Sequence, residues 1–118
     1  MDKSIKDIPE EAPLVLVTHI PILTAATQWE EGALVPNHPM VAVGNSKELF
    51  ELLHKHNLKL ILQGHLHIFE KIEIGGIQIV TGGAISGKWW QGIYKNTPPG
   101  FLLVDINGTN ISTQYIPY

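Results

Sequence analysis

The sequence predicts a mixed α/β domain whose sheet has a parallel core and an antiparallel C-terminal region. Two aliphatic runs carry the parallel part: LVLVTH at 14–19 and LKLILQ at 58–63. Neither alternates with polar residues, as expected of strands buried on both faces. Between them lies one amphipathic helical segment, the arrangement a parallel crossover needs. After residue 67, paired turn residues separate further apolar runs, which read as hairpins.

The polar lead-in 1–13 ends in PEEAP, whose prolines discourage regular structure. Residues 20–45 show no clear period and contain Pro21, Pro36 and Pro39, so they read as a long loop. Ser46 is placed to cap a helix whose apolar face is Leu49, Phe50, Leu52 and Leu53, ending near Asn57. IFEKIEI and IQIVT flank Gly75-Gly76 as one hairpin. FLLVDI and ISTQYI flank Asn107-Gly108 as a second, with a glycine-rich stretch carrying two tryptophans at 82–100. The chain reads as one domain, 1–118, without internal repeats.

Composition narrows the function. Of 118 residues, 44% are hydrophobic and only 16% charged, so either the domain packs very economically or part of its apolar surface meets another polypeptide segment. The eight basic residues are all lysine and the net charge is −3, which gives no nucleic-acid-binding signature. Cysteine is absent, which excludes disulfides and thiolate metal sites. No apolar run reaches the roughly 20 residues of a membrane segment. The N-terminus has no apolar signal-peptide core.

The candidate chemistry is in the histidines. The second strand runs into Gly64-His65-Leu66-His67, and the first runs into His19-Ile20-Pro21. Ligand sites of open α/β sheets gather at the C-terminal edge of the strands. Adjacent parallel strands therefore bring three imidazoles, the usual nitrogen ligands of Zn, Fe, Ni and Mn, to one edge. A lone strand-end histidine is ordinarily a surface group, and an extended His-x-His points its rings to opposite faces. The case rests on the coincidence of three. His54 and His56 repeat the spacing on the helical segment, where positions two apart do not face each other, so they read as solvent-exposed.

Val17-Thr18-His19-Ile20-Pro21 followed by Gly64-His65-Leu66-His67 resembles the last two metal motifs of the calcineurin-like metallophosphoesterases, His-x-Pro and Gly-His-x-His. The stretches GAISGKWWQG and TPPGFLLVDI resemble the C-terminal region of bacterial members. The three upstream motifs of that family, Asp-x-His, Gly-Asp-x-x-Asp and Gly-Asn-His-Asp/Glu, are absent; Gly44-Asn45 lacks the following histidine and falls after His19. The resemblance therefore implies the C-terminal half of an αββα sandwich and a metal-dependent phosphoric ester hydrolase. His19 and His65 resemble ligands of one metal ion and His67 a ligand of the other. Two divalent ions (Mn, Fe, Zn or Ni) in the intact enzyme hold a bridging hydroxide that attacks phosphorus in line. The bridging aspartate, the asparagine ligand and the general acid belong to the missing N-terminal half, so no catalytic residue is expected here and the chain alone is expected to be inactive. MDKSIKDIPEEAP resembles the tail of the helix that precedes the histidine strand in that family. Half a sheet is also expected to self-associate. The competing reading is a stand-alone, non-catalytic binding or assembly module with at most one histidine-bound metal.

Asn37 and His38, in the long loop, and Trp89 and Trp90 are the candidate substrate contacts. Loops near sites carry function more often than core positions do, and paired tryptophans can wall a pocket and stack on a ring, though tryptophans more commonly pack. Lys88 and Trp29 with its acidic neighbours read as ordinary surface and loop-anchoring residues. Asn107-Gly108-Thr109 matches a glycosylation sequon, but a hairpin turn explains it.

Overall fold

The computed structural model describes residues 5–118; the first four residues of the lead-in lie outside it. Among the described residues the elements are β1 (Pro13–Val17), α1 (Ala26–Glu31), α2 (Ser46–Leu53), β2 (Asn57–Gln63), β3 (Glu70–Ile74), β4 (Ile77–Thr81), β5 (Gly100–Asn107) and β6 (Asn110–Pro117).

The mixed α/β class is what the sequence predicts. A four-stranded sheet runs β1-β2-β4-β3, and β5 and β6 form a separate two-stranded sheet. β1 and β4 both pair parallel to β2, while β3 returns antiparallel against β4. The central position of β2 explains its unbroken apolar run: Leu58, Leu60 and Ile61 are all buried. Leu58 and Ile61 join Ile5, Ile22, Leu53 and Ile79 in the core, against which Leu49, Phe50 and Leu52 of α2 pack.

Four local expectations shift. The 20–45 segment is not entirely loop: α1 forms within it, though its first position has no side-chain cap. Tertiary bonds hold α1 instead. The amide of Ala25 donates to Glu70 at 2.8 Å, and Gln28 Nε2 donates to the Val35 carbonyl at 2.7 Å. α2 stops at Leu53 rather than near Asn57, because Asn57 is recruited as the first residue of β2, its amide donating to the Glu10 carbonyl at 2.9 Å. His54 is exposed as expected, but His56 is half-buried and its Nδ1 is buried without a partner. The last hairpin turns on Gly108-Thr109, since Asn107 pairs with Asn110; Gly108 has φ 60°, which suits glycine at the first central position.

The molecule exposes more surface than its length calls for. Its accessible area is 7754 Å², against about 6,400 Å² for a compact monomer of this size. Its radius of gyration is 15.0 Å, where about 13.5 Å is usual for such a chain. β1 is an edge strand, and a groove of about 410 Å³ lined by Leu16, Val17, Ile22, Val43 and Leu49 runs beside it.

Candidate metal centre

β1 ends at Val17 and β2 at Gln63, so His19 and His65 each sit two residues beyond a strand end. Because the strands are parallel neighbours, those ends coincide. The Thr18 amide donates to the Leu62 carbonyl at 2.9 Å and the Gly64 amide to the His19 carbonyl at 3.0 Å, zipping the two loops together. The imidazoles consequently meet, with ring centroids 5.1 Å apart, edge to face, and His65 Nδ1 3.3 Å from His19 Nε2.

The tautomer of His65 follows from its other nitrogen. Nε2 lies 2.8 Å from the Met40 carbonyl, which can only accept, so Nε2 carries the proton and Nδ1 presents a lone pair toward His19. An imidazole that donates one N–H to a backbone carbonyl and turns its other nitrogen to a shared point has the usual arrangement of a metal-ligating histidine. The spacing fits as well. Two nitrogens each about 2.0–2.1 Å from a tetrahedral zinc stand about 3.3–3.4 Å apart. The pair therefore suits one edge of a coordination sphere. Among the described residues no group of three or more His, Cys, Asp or Glu side chains is placed to hold a metal ion. Any metal ion held by this pair would need its remaining ligands from water or another polypeptide segment.

His67 does not join the pair. Its Nδ1 donates to the Gly87 carbonyl at 2.8 Å, which leaves Nε2 with the lone pair, and its ring stacks on Trp89 at 4.7 Å with 29° between planes. The backbone explains the divergence. His65 and His67 both have positive φ, 71° and 58°, and the Leu66 amide bonds back to the Gly64 carbonyl at 2.8 Å, so the His-x-His is a bend and not a strand. Trp89 and Trp90 also lie in the left-handed region, at φ 48° and 68°. Such conformations cost of order 1–3 kcal/mol for each non-glycine residue and persist where the surroundings over-determine them.

Asn37 and His38 are placed differently from each other. Asn37 Nδ2 donates to the Thr24 carbonyl at 3.2 Å, tying the loop to itself. The exposed His38 uses Nδ1 to accept the Met40 amide at 3.1 Å, so it shapes the turn whose carbonyl holds His65. Trp89 and Trp90 are both exposed, by 59% and 78%, so neither packs in the core.

Several supporting residues have no individual signature in the sequence. Gln63 is buried, and its side chain accepts the Ile22 amide at 3.0 Å while donating to the Leu23 carbonyl at 2.7 Å and to Thr81 Oγ1 at 2.8 Å. Glu70 accepts from Thr24 Oγ1 at 2.8 Å, the Ala25 amide at 2.8 Å and Thr81 Oγ1 at 3.2 Å. Together they clamp the segment that follows His19 onto the ends of β2 and β4. A lone glutamine closing an aliphatic strand was the one available signal. The carbonyls of Met40 and Gly87 belong to the backbone and leave no trace in residue identity.

Lys95 donates to Glu30 at 2.6 Å, and this bond holds its ammonium above the ordinary lysine range. Burial, followed by the neighbouring Tyr118, pushes the Tyr115 phenol up.

Fold and site thus define a class: a mixed α/β domain that presents paired strand-end imidazoles at the C-terminal edge of its parallel strands. No protein-family model matches the sequence. Among solved structures, a single mutant of Vps29 from Entamoeba histolytica is similar at a TM-score of 0.40 and 20% identity, over 72% of this chain and 53% of that one. The chain thus spans about half the length of that protein.

Proposed function

We propose that this chain is the histidine-bearing C-terminal portion of a dinuclear, calcineurin-like metallophosphoesterase, a metal-dependent phosphoric ester hydrolase. The observation that carries the reading is the 3.3 Å approach of His65 Nδ1 to His19 Nε2, with the other nitrogen of His65 held by a carbonyl. A bound divalent ion there supplies Lewis acidity toward a phosphoryl oxygen and lowers the pKa of water. The chain's own part is to orient its imidazoles: His19 and His65 toward one ion, with His65 Nε2 tied to the Met40 carbonyl, and His67 toward the second, with its Nδ1 tied to the Gly87 carbonyl. Gln63 and Glu70 keep the His19 loop in place, and the turn at 84–92 forms part of the substrate wall. Asn37, bound back to the Thr24 carbonyl, holds the loop that carries His38, whose exposed ring accepts the Met40 amide.

The proton-donating general acid and the asparagine ligand, together with the carboxylate that offsets metal charge, belong on a preceding segment. The open edge of β1, the apolar groove beside it and the excess of exposed area all support a covering segment of that kind.

The test has two parts. The coding sequence in frame upstream of Met1 should encode Asp-x-His and Gly-Asn-His-Asp/Glu motifs. The extended protein should then hydrolyse bis-p-nitrophenyl phosphate or p-nitrophenyl phosphate with added Mn, and lose that activity on His65→Ala. A stop codon directly before Met1 would refute the half-enzyme reading and favour a non-catalytic module.

A further inference from the structure

Two tryptophans on an exposed turn are a costly feature in a chain with so few charges, and each carries a large apolar face. The turn is built to keep them there. The Gly87 amide donates to the Ala84 carbonyl at 2.9 Å, Lys88 to the Gly92 carbonyl at 2.9 Å, Trp90 to the Ser86 carbonyl at 2.6 Å and Gln91 to the Lys88 carbonyl at 2.8 Å. The Tyr118 hydroxyl adds a bond to the Ile85 carbonyl. Gly87 itself has φ 50°, and a Cβ there would run into Gly92 and into Pro99 at 2.8 Å, so only glycine permits this turn.

The rings are used unequally. Trp89 is a wall, with His67 stacked at 4.7 Å and the edge of Tyr94 at 5.5 Å. The Trp90 ring meets no other aromatic ring among the described residues and is 78% exposed. Both tryptophans are held in left-handed backbone conformations, as are His65 and His67. Among the described residues six non-glycine residues have positive φ; Lys95 and Asn96 form the separate turn between Tyr94 and Thr97, and the other four are linked through the His67–Trp89 stack into one pre-shaped locus. A patch that served only protein docking needs neither the strained backbone nor contact with the imidazoles.

We propose that the Trp89–Trp90 turn binds the planar ring of a phosphate ester, an aryl or nucleobase group, by stacking on Trp90. The phosphate half of this assignment rests on the phosphoesterase reading; the ring half stands on the geometry of the turn. The arrangement suits a ligand with a flat π-face one residue away from the imidazole-bearing edge. A rigid aromatic surface loses little freedom on binding, so stacking contributes most of its strength to affinity. Stacking on one aromatic side chain ordinarily changes affinity by about tenfold or more.

The experiment follows the three indole N–H signals, one for each tryptophan, in a ¹⁵N-labelled sample of the chain. Titrants are AMP, adenosine and glycerol 2-phosphate, against the wild type, Trp90→Ala and His65→Ala. Trp90 is exposed, so Trp90→Ala leaves the fold intact, checked by circular dichroism; Trp29→Phe assigns the third signal. AMP and adenosine are expected to shift the Trp89 and Trp90 signals, and Trp90→Ala to weaken AMP by about tenfold or more. Equal affinity for AMP and glycerol 2-phosphate, no response to millimolar AMP, or no effect of Trp90→Ala on AMP overturns the proposal. If Trp90→Ala instead reduces self-association and leaves ring binding unchanged, the turn is a protein contact and the proposal falls. If adenosine binds as tightly as AMP and His65→Ala alters neither, the ring site stands and the phosphoesterase reading fails. Loss of glycerol 2-phosphate binding in His65→Ala, with Trp90→Ala silent toward AMP, leaves the phosphoesterase reading standing and removes the ring site.

Discussion

Replacing Gln63 by leucine tests whether the clamp behind His19 carries the fold. The change keeps the side-chain volume close and removes three hydrogen bonds. Thr81 Oγ1 keeps its bond to Glu70. The Ile22 amide and the Leu23 carbonyl lose the side-chain partners they have on Gln63, and Ile22 is only 3% exposed. An unsatisfied buried polar group costs about 1–3 kcal/mol, so two cost about 2–6 kcal/mol. Burying an apolar side chain in place of an amide offsets part of this, which leaves a loss of about 3 kcal/mol. Domains of this size have about 5–15 kcal/mol in total. The unfolding midpoint should fall by roughly 10–20 °C, read by circular dichroism or by urea titration. The His19 loop should also loosen, so zinc affinity should drop in the folded protein. A loss of stability below about 1 kcal/mol with unchanged zinc affinity would refute the reasoning.

Glycine positions give a paired prediction. Gly87→Ala should destabilise strongly because a Cβ meets Pro99 at 2.8 Å on a left-handed backbone, whereas Gly64→Ala should be mild, since its nearest neighbour is His19 at 3.8 Å; thermal melts rank the two. Calorimetry with zinc should show binding lost in His19→Ala and His65→Ala and retained in His54→Ala, and binding should weaken on acidification because protons compete for the ring nitrogens. The chain alone should show no robust Mn-dependent hydrolysis of bis-p-nitrophenyl phosphate, and sedimentation should show a dimer or larger species; turnover abolished by His65→Ala, or a clean monomer at high concentration, would count against the half-domain reading. The Lys95–Glu30 bond raises the lysine pKa, so its contribution is complete below the unfolded value of 10.5 and disappears as pH rises through the folded one; both side chains are over a third exposed, so Lys95→Ala should cost well under about 1 kcal/mol by urea unfolding at neutral pH.

The sheet was legible because its signals are collective. β1 and β2 are aliphatic without alternation, and Gly75-Gly76, at φ 58° and 78°, supply the two left-handed positions a tight hairpin needs. That legibility carried over to His19 and His65, whose meeting follows from parallel pairing alone. α1 was not legible because its support is tertiary: Glu70, 45 residues away, receives the amide before its first turn. The bend at His65–His67 was hidden for a related reason. Nothing in Gly-His-Leu-His shows that two histidines adopt positive φ; the carbonyls of Met40 and Gly87, from two distant loops, fix their rings.

Backbone strain and excess surface lead to the same physical conclusion. His65, His67, Trp89 and Trp90 hold left-handed conformations that together cost several kcal/mol, a large share of what one small core supplies. The surface excess over a compact monomer is well above the roughly 800 Å² that one partner buries in an ordinary stable interface. A domain that carries strain at one end and uncovered apolar area along β1 gains most from a polypeptide seated on the β1 edge, close to where His19 leaves the strand. Such a segment would stabilise the strained locus by burying surface and by adding ligands at the open side of the His19–His65 pair. If the coding sequence upstream encodes such a segment, adding it should raise stability and metal affinity together, and a rise in one without the other would separate the two roles assigned to that edge.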